Sequence, residues 1–318
     1  MHRRRRVLVA LFAAPWALWA LGRTFGLDGA VHPFVAAISF TPYVAATAIL
    51  PVLVALVARE WIVAAIATLA LALFALAVLP RALDGPGLAA ADGAGRPLVV
   101  MTTNLLFGRA DARAVVRLAR EHDVDVLSLQ ELTPEAVEHL DDAGARELLP
   151  GRVLHPAPRA SGTGLMARRR LRAVTRPRLG EPGQLRAALA LPGGAQLGLA
   201  AVHPFPPLSA QRVSDWRDVL RSLPAPTAGG RPNVLIGDFN ATLDHRELRR
   251  VLDRGYTDAA DATGDGLRPT FPVVRSLPPI TIDHVLVPDT IGVRRVTSYE
   301  VDGSDHRALI VALVLPAG

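Results

Sequence analysis

The chain has 318 residues, half of them hydrophobic, and a net charge of +6 in which every basic residue is arginine. It contains no cysteine, which excludes disulfides, thiolate metal sites and cysteine nucleophiles. Residues 1–84 hold seven arginines against three acids (+4), and the rest of the chain holds 28 against 26 (+2). The small excess after residue 84 argues against a strongly basic, nucleic-acid-binding face there.

The first 83 residues have the composition of a membrane anchor. Between Val7 and Pro80 only four charged residues interrupt three apolar stretches, which cover residues 7–22, 31–58 and 61–79. The second and third are long enough to cross a hydrocarbon layer of about 30 Å. The first is short and is either a retained span or a signal-peptide core; no Ala-x-Ala cleavage site follows it, which favours a span. We therefore predict about three transmembrane helices in residues 1–83.

The arginines predict the orientation of this anchor. Arg3 to Arg6 should remain in the cytoplasm, and three crossings then place everything after Arg81 outside the cytoplasm. Cleavage of the first segment would leave two crossings and the same result. Arg59 and Glu60 would form an inner turn, whereas Arg23 and Arg81 at the outer ends run against the rule. Residues 84–97, rich in Gly, Ala and Pro, are predicted to be a linker.

After the linker, short apolar runs typical of buried strands are each followed or preceded by polar residues suited to chemistry. These residues are Asn104, Glu131, His203, Asp238, Asn240, Asp283, Asp305 and His306. Helical periodicity over residues 110–122 and 209–223 separates some of the runs. The alternation predicts an α/β domain with layered sheets.

Each polar residue alone is more typical of a turn than of a site. Together they are chemically coherent, because strand ends on one rim of a sheet can converge on one cleft. The carboxylates of Glu131, Asp238 and Asp305 and the amides of Asn104 and Asn240 are oxygen ligands that suit Mg²⁺ or Mn²⁺ better than structural zinc. Two further residues, His203 and His306, add acid and base capacity near neutral pH.

The motifs "TTNLLFG", "DVLSLQE", "AVH", "GDFNA", "TIDHVLV" and "GSDH" occur in the order found in the endonuclease/exonuclease/phosphatase superfamily, which the chain resembles over residues 98–316. This DNase I-like group includes nucleases, inositol-phosphate phosphatases and bacterial sphingomyelinases. The resemblance implies that residues 98–318 form a four-layer α/β sandwich, with two packed mixed sheets flanked by helices. It also implies hydrolysis of a phosphate ester that depends on a divalent metal.

The resemblance also implies a role for each matching residue. Metal ligands would be Glu131, Asn104 and Asp305, and catalytic residues would be His306, Asp238, Asn240, His203 and Asp283. Asp238 and Asn240 would position the attacking water and hold phosphoryl oxygens, and His306 would lie beside the scissile phosphate, oriented by Asp283. His203 would be a possible acid for the leaving group, although the sequence identifies no acid to partner it.

Five further residues are given expected positions or contacts, in addition to a second role for Asn240. Asn240 and Thr270, in "TFP", would contact the substrate. Phe239 is expected to point into the domain so that its polar neighbours face the cleft. His284 is expected to be structural, and Asp244 and His245 are expected to be surface or helix-start residues.

These motifs do not identify the substrate. The anchor favours an extracytoplasmic ester that is lipid-linked or part of the cell envelope. A nuclease on the same side of the membrane is an alternative, with another kind of phosphatase and a catalytically inactive membrane-binding module as others. Nucleic acid is not favoured, because the domain has little excess charge and few aromatic residues; the basic stretch 167–178 is interpreted as a phosphate-facing patch or a solvated hairpin. No obligate protein partner is evident.

Overall fold

The computed structural model describes residues 2–29, 32–83, 95–176, 183–273 and 278–316; most of the predicted linker, residues 84–94, lies outside these ranges. The first part is a helical unit, residues 2–83. Its helices are α1 (His2–Thr24), α2 (His32–Ala37), α3 (Thr41–Thr47), α4 (Ile49–Val57) and α5 (Trp61–Val78). Two helices, His2–Thr24 and Trp61–Ala82, are long and apolar enough to cross a membrane. The pair Pro33–Thr47 and Ile49–Val57, bent by 45°, would be a third span if counted as one.

Charged residues mark one end of the helical unit. Glu60 lies in the turn before α5 and accepts hydrogen bonds from Arg5 Nε (3.0 Å) and Arg6 Nε (2.9 Å). Arg59 makes this tight turn in a left-handed backbone conformation, with φ 55°. The N-terminus of α1 and the α4–α5 turn therefore lie at the same end, as the sequence predicts.

The second part of the chain forms two six-stranded sheets. The strands are β1 (Arg96–Asn104), β2 (Val126–Gln130), β3 (Gly151–His155), β4 (Thr163–Ala167), β5 (Leu171–Thr175), β6 (Gly183–Ala190), β7 (Gln196–His203), β8 (Asn233–Asp238), β9 (Tyr256–Asp258), β10 (Asp283–Pro288), β11 (Gly292–Glu300) and β12 (Arg307–Leu315). Their order is β11-β12-β1-β2-β4-β3 in one sheet and β5-β6-β7-β8-β10-β9 in the other. Both sheets are mixed, because β1–β2 and β7–β8 are parallel while their other pairs are antiparallel.

Helices cover the outer face of each sheet. They are α6 (Ala112–Glu121), α7 (Pro134–Asp142), α8 (Ala145–Leu148), α9 (Ala210–Arg221), α10 (Arg246–Leu252) and α11 (Ala259–Ala262). One apolar cluster fills the space between the sheets, a second lies under α6 to α8, and a third lies under α9 and α10. The predicted helices begin at the side-chain caps Asp111 and Ser209. The predicted four-layer sandwich is confirmed.

Strand pairing brings the polar strand ends together. In the first sheet Asn104 pairs with Gln130, so Glu131 follows immediately beside it. In the second sheet Asp238 at the end of β8 pairs with Asp283 at the start of β10. The two sheets pack face to face through their shared core, so these ends meet at one edge of the sandwich.

The helical unit packs directly on the sandwich, through a set of contacts that we call the joint. Asp244 accepts hydrogen bonds from Arg23 (2.7 Å) and Arg81 (2.7 and 2.9 Å). His245 Nε2–H donates to the carbonyl of Val35 (2.9 Å), and the Val35 side chain lies in the apolar cluster under α9 and α10.

The structure overturns one sequence interpretation at the joint. Asp244 and His245 were expected at the surface or at a helix start, but they are 0% and 1% exposed. His245 does precede α10. The expectation failed because the partners that bury these residues against the helical unit, Arg81 and Val35, lie more than 160 positions away along the chain, where no local pattern could indicate them.

Candidate active site

One side of the site consists of residues at the ends of β1 and β2. Asn104 is buried, and its Nδ2 donates to Glu131 Oε1 and to Asp238 Oδ2, both at 3.2 Å. Glu131 adopts a left-handed backbone conformation (φ 55°), which turns its carboxylate back toward the Phe107 N–H at 2.7 Å. Burial raises the pKa of Glu131 against the opposing effect of these hydrogen bonds. Asn104 Oδ1 accepts from the Leu106 N–H, so the amide nitrogen faces the carboxylates.

The end of β8 and the turn that follows it supply a second side of the site. Asp238 Oδ1 accepts from the backbone N–H of Asn240 at 2.8 Å, a turn made possible by the left-handed conformation of Asn240 (φ 46°). Asn240 Nδ2 donates to the carbonyl of Pro204 at 3.0 Å. Phe239 is fully buried in the core, with its carbonyl accepting from Trp216, as predicted from the alternation of side chains. Burial raises the pKa of Asp238 to about 7, although the charge of His306 opposes this.

His306 and Asp283 form a buried pair. His306 Nδ1–H donates to Asp283 Oδ2 at 2.9 Å, and Nε2 lies 3.8 Å from Asp238 Oδ2. Burial alone would lower the pKa of His306, but the charge and hydrogen bond of Asp283 outweigh it and raise the pKa to about 9. His306 is therefore an imidazolium at neutral pH, held in one orientation with Nε2–H toward the centre of the site.

His203 lies at the end of β7 in a different electrostatic environment. Its Nε2 is 3.7 Å from Asp238 Oδ2 and 3.9 Å from Glu131 Oε1. Burial, with the neighbouring charge of His306, lowers the pKa of His203 to about 4 despite a hydrogen bond to the Ala160 backbone. His203 is neutral at pH 7, which makes it a hydrogen-bonding group rather than a strong acid.

Thr270 lies close to the site but faces its support. Its Oγ1 accepts from the backbone N–H groups of Ile282 and Asp283, both at 3.1 Å, and its carbonyl accepts from Arg307 at 2.8 Å. These bonds fix the start of β10, which carries Asp283, and the start of β12, which directly follows His306. The hydroxyl is thus placed to position Asp283, and substrate contact by Thr270 stays a prediction.

His284, expected to be structural, points away from the site. Its two ring nitrogens donate to Asp258 Oδ2 (2.7 Å) and to the carbonyl of Ala241 (2.8 Å). Burial opposes the charge of His284, but Asp258 outweighs it and raises the pKa of the ring. This buried ion pair ties β9 to the loop after β8.

The donors fit a divalent cation with a preference for oxygen ligands. Asp305 Oδ1 and Asp283 Oδ1 are buried without a hydrogen-bond partner among the described residues. Asp305 also raises the pKa of Glu131 through like charge, so the two carboxylates face a common space. Ligand atoms of Asp238, Asp283 and His306 lie within 4.8 Å of one another, but His306 Nδ1–H already donates to Asp283 Oδ2 at 2.9 Å. Glu131 and Asp305, which line the same cavity, could therefore hold a divalent cation that prefers oxygen ligands.

These side chains line one cavity of about 380 Å³. Its polar side contains Asn104, Glu131, His203, Asp238, Asn240, Asp305 and His306, together with the buried imidazole of His245. The structure thus brings together seven of the nine predicted site residues in the cavity wall. Asp283 and Thr270 do not line the cavity. Asp283 accepts a hydrogen bond from His306, and Thr270 accepts one from the backbone N–H of Asp283.

Sequence reasoning missed part of the cavity wall. Ala36, Ser39 and Phe40 line it, and all three come from the helical unit, where α2 ends and α3 begins. Residues 31–58 read as one apolar span, whereas the structure breaks this stretch at a short 3₁₀ turn, Ile38–Phe40. Ser39, Thr41 and Pro42 interrupt the apolar run and were the available signal for that break.

Comparison with known proteins agrees with this geometry. A sequence model of the Endonuclease/Exonuclease/phosphatase family matches residues 101–306, whereas no curated protein matches the sequence. Solved structures with a similar fold include an endonuclease/exonuclease/phosphatase family protein from Bacteroides thetaiotaomicron, at 18% identity and a TM-score of 0.50 over 70% of this chain and 99% of that one.

Two further structures agree at the level of the fold. An endonuclease/exonuclease/phosphatase from Beutenbergia cavernae is 20% identical, with a TM-score of 0.51 over 70% of this chain and 72% of that one. A humanized D. rerio TDP2 carrying 14 mutations is 20% identical, with a TM-score of 0.51 over 68% and 98%. The matched sequence range covers most of the chain and contains every residue of the cavity's polar side, so the chain belongs to the endonuclease/exonuclease/phosphatase family of phosphoric ester hydrolases.

Proposed function

We propose that the protein is a membrane-anchored, divalent-metal-dependent phosphoesterase that hydrolyses a lipid-linked or cell-envelope phosphate ester outside the cytoplasm. The observation that carries this proposal is the composition of the catalytic cavity. Its wall combines the phosphoesterase residues with Ala36, Ser39 and Phe40 of the helical unit. A phosphate ester bound there would have its phosphate in the polar side and its organic group against residues of the anchor.

The rest of the cavity supports an apolar organic group. Leu106, Phe107, Pro206, Pro207, Leu208 and Ile280 also line it. Leu208 is 68% exposed and Phe107 is 43% exposed, at its rim. Exposed apolar residues beside a membrane anchor are typical of a surface that meets lipid.

The charges of the anchor support an extracytoplasmic active site. Arg5 and Arg6 are at the end that the positive-inside rule assigns to the cytoplasm, and the sandwich packs at the other end. Arg23 and Arg81 at that other end ran against the rule. Both are paired with the buried Asp244, which compensates part of their charge in the folded protein. A C-terminal reporter fusion that is active only outside the cytoplasm is the expected result, and activity only inside would reverse this orientation.

The cavity residues support hydrolysis by an activated water. Glu131 and Asp305 would hold the divalent ion, which when bound would neutralise charge on the phosphoryl oxygens and lower the pKa of a water; Asn104, whose Nδ2 donates to Glu131, would orient that carboxylate. Asp238, whose pKa is about 7, can accept the proton of the attacking water at neutral pH. Asn240 fixes Asp238 through its backbone N–H, and His306 offers Nε2–H to the phosphate.

A complete turnover balances on these residues. The water oxygen forms a bond to phosphorus, its proton goes to Asp238, and the bond from phosphorus to the leaving oxygen breaks. His306, protonated at neutral pH because its pKa is raised to about 9, gives its proton to the leaving oxygen. Asp238 can return its proton to His306, whose Nε2 is 3.8 Å away. His203 contributes a hydrogen bond rather than a proton, because its pKa is low.

The test uses the full-length protein in detergent micelles, since the joint connects the helical unit to the sandwich. Phosphate or headgroup release from prenyl phosphates and phospholipids is compared with cleavage of single- and double-stranded DNA, with Mg²⁺ and with EDTA. We expect lipid phosphates to be hydrolysed and EDTA to abolish the activity. Rapid DNA cleavage without lipid hydrolysis would establish the nuclease alternative instead.

A variant pair tests the cavity wall itself. Phe40→Ala removes an aromatic ring from the wall, whereas Phe25→Ala removes one that is 67% exposed on the helical unit. We expect Phe40→Ala to raise KM for a long-chain lipid phosphate by about tenfold, the scale of one buried apolar side chain, with no change for a methyl ester. Equal effects of the two variants would show that the wall does not contact the substrate.

A further inference from the structure

A second groove lies against the catalytic cavity and is lined by arginines, whereas the cavity is lined by carboxylates. It has a volume of about 700 Å³ and shares Phe107, Ala160, Pro206 and Leu208 with the cavity. Its remaining wall contains three arginines, Arg109, Arg159 and Arg212, beside Phe205 and residues of the 158–161 turn. We call this region the arginine groove.

The three arginines are not used elsewhere in the described structure. Among the described residues, their guanidinium groups form no ion pair with a carboxylate and no hydrogen bond. This matters because the domain has a net charge of only +2. Three uncompensated cations around one groove are therefore a local concentration of charge and not a consequence of a basic surface.

The guanidinium groups are also partly held in place. Arg212 stacks over the Phe205 ring at 4.1 Å and Arg109 lies over the Phe107 ring at 5.8 Å. Stacking on a ring leaves the edge of the guanidinium, with its N–H donors, free to bind a planar or tetrahedral anion. Arg159 is held in a left-handed backbone conformation (φ 59°), a strained state that occurs at functional sites more often than elsewhere.

The turn that carries Arg159 also touches the catalytic centre. Ala160, its neighbour, lines both the groove and the cavity, and its backbone forms a hydrogen bond with His203. An anion in the arginine groove would therefore lie next to a phosphate in the catalytic cavity, on the same substrate molecule. Arginine suits this task because it binds phosphate in a bidentate manner.

We propose that the arginine groove binds a second anionic group of the substrate, attached to the scissile phosphate on the side away from the apolar chain. This rests on the proposed function, in that a phosphate ester occupies the catalytic cavity. The substrate class is then an apolar chain, a scissile phosphate and a further phosphate, either as a diphosphate or on a headgroup. Water attacks the phosphorus nearest the chain, and the bond to the oxygen leading to the second anion breaks. That leaving oxygen takes the proton of His306.

The experiment measures KM and kcat of the full-length protein in detergent with Mg²⁺ in excess. One pair is a prenyl diphosphate and the prenyl monophosphate of the same chain, and a second, soluble pair is methyl diphosphate and methyl phosphate. The two monophosphates lack the bond that the proposal breaks, so they are measured as competitive inhibitors and their Ki takes the place of KM. The third pair is phosphatidylinositol 4-phosphate and phosphatidylinositol. The variants are Arg109→Ala, Arg159→Ala and Arg212→Ala. The matched control is Arg117→Ala, an exposed arginine on α6 outside the groove.

We expect the wild type to have a lower KM for the member of a pair that carries the second phosphate. Arg212→Ala should raise that KM about tenfold or more, the scale of one lost hydrogen bond to a charged group. The same variant should leave the constant for the other member of the pair unchanged, and Arg117→Ala should change neither. If the arginine variants raise KM only for the diphosphates, the second anion is attached directly to the scissile phosphate. If they raise KM only for phosphatidylinositol 4-phosphate, the second anion is on the headgroup.

Two outcomes separate this proposal from the proposed function. If no lipid is hydrolysed but the methyl pair shows the arginine dependence, the groove binds its anion and the lipid assignment fails. If lipids are hydrolysed and no pair distinguishes the groove variants from Arg117→Ala, the arginine groove is not a substrate site and the proposal is overturned.

Discussion

Two buried carboxylates, Asp238 at the end of β8 and Asp244 in the loop that follows, have different surroundings. Asp244 is 0% exposed and contacts two permanently charged groups, those of Arg23 and Arg81. Burial alone would raise the pKa of Asp244, but the two arginines outweigh it and lower the pKa. Asp238 is 1% exposed and has Asp283 and a titratable imidazolium, His306, as its charged neighbours, and burial raises its pKa to about 7.

The difference separates a structural charge from a reactive one. A carboxylate that is fully compensated by arginine stays ionised and joins two parts of the molecule. A carboxylate that is only partly compensated is poised near neutral pH, where it can exchange a proton with substrate or water. The same residue type thus serves the joint at position 244 and the chemistry at position 238.

The largest expected effect is on turnover at Asp238. The Asp238→Asn substitution keeps the shape of the side chain but removes the proton acceptor, so kcat should fall by about 10³-fold, within the usual range for a general base. The free energy of unfolding should stay the same or rise, because an incompletely compensated buried charge has been removed. Steady-state kinetics and thermal unfolding of the detergent-solubilised protein measure the two effects.

Asp253→Asn is the matched control for this substitution. Asp253 is exposed at the C-terminal end of α10, so neither activity nor stability should change. Retention of near-wild-type kcat by Asp238→Asn would remove Asp238 from the proposed cycle.

The next largest effect is on stability at the joint. Asp244→Ala would leave Arg81 buried without its partner, which costs about 3–5 kcal/mol in comparable buried pairs. We expect a large fall in thermal stability of the full-length protein. Glu60→Ala at the other end of the helical unit is the comparison, because Arg5 and Arg6 are 46% and 63% exposed and can be solvated when Glu60 is lost. A smaller change for Asp244→Ala than for Glu60→Ala would contradict the structural role of the joint.

The compensation of Asp244 should also appear as a pH dependence. Because its folded-state pKa is lowered from 3.8, the unfolded chain binds the proton first as the pH falls. Its contribution to stability is therefore present above pH 3.8 and is lost as the pH falls through the folded-state value. The wild type should lose more stability than Asp244→Asn between pH 5 and pH 2.5, measured by thermal unfolding at each pH; parallel curves would show that Asp244 does not titrate as the structure implies.

These two carboxylates also show what the sequence could and could not reveal. Asp238 was found because its chemistry is written locally, as "GDFNA" at the end of an apolar run and beside other polar strand ends in family order. Asp244 was missed because its partners, Arg23 and Arg81, lie far from it in the sequence and were interpreted only as exceptions to the charge distribution of the predicted anchor. The three side chains form one cluster only in the folded chain.

The layers of the fold were predictable for a related reason. Periodicity of 3.6 and short apolar runs report which side chains face a core, and the family motifs supplied the sheet arrangement. Contact between the helical unit and the cavity was not predicted, because residues 31–58 were interpreted as one apolar span although Ser39, Thr41 and Pro42 interrupt it around Phe40. Only the 3₁₀ turn at Ile38–Phe40 turns that stretch toward the site.

The smallest effect we expect is at His245. Burial lowers the pKa of this ring from 6.5, so the neutral form donates Nε2–H to Val35 and accepts the Thr242 N–H at Nδ1. His245→Ala leaves these buried backbone groups unpaired and should cost about 1–3 kcal/mol of the free energy of unfolding.

The lowered pKa of His245 means that the unfolded chain binds a proton more readily than the folded one. The contribution of His245 is thus present above pH 6.5 and decreases as the pH falls below it. His245→Gln keeps a donor near Val35 but cannot titrate, so its stability should depend less on pH than that of the wild type between pH 8 and pH 5. Identical slopes for the two proteins would mean that His245 holds the helical unit without sensing pH.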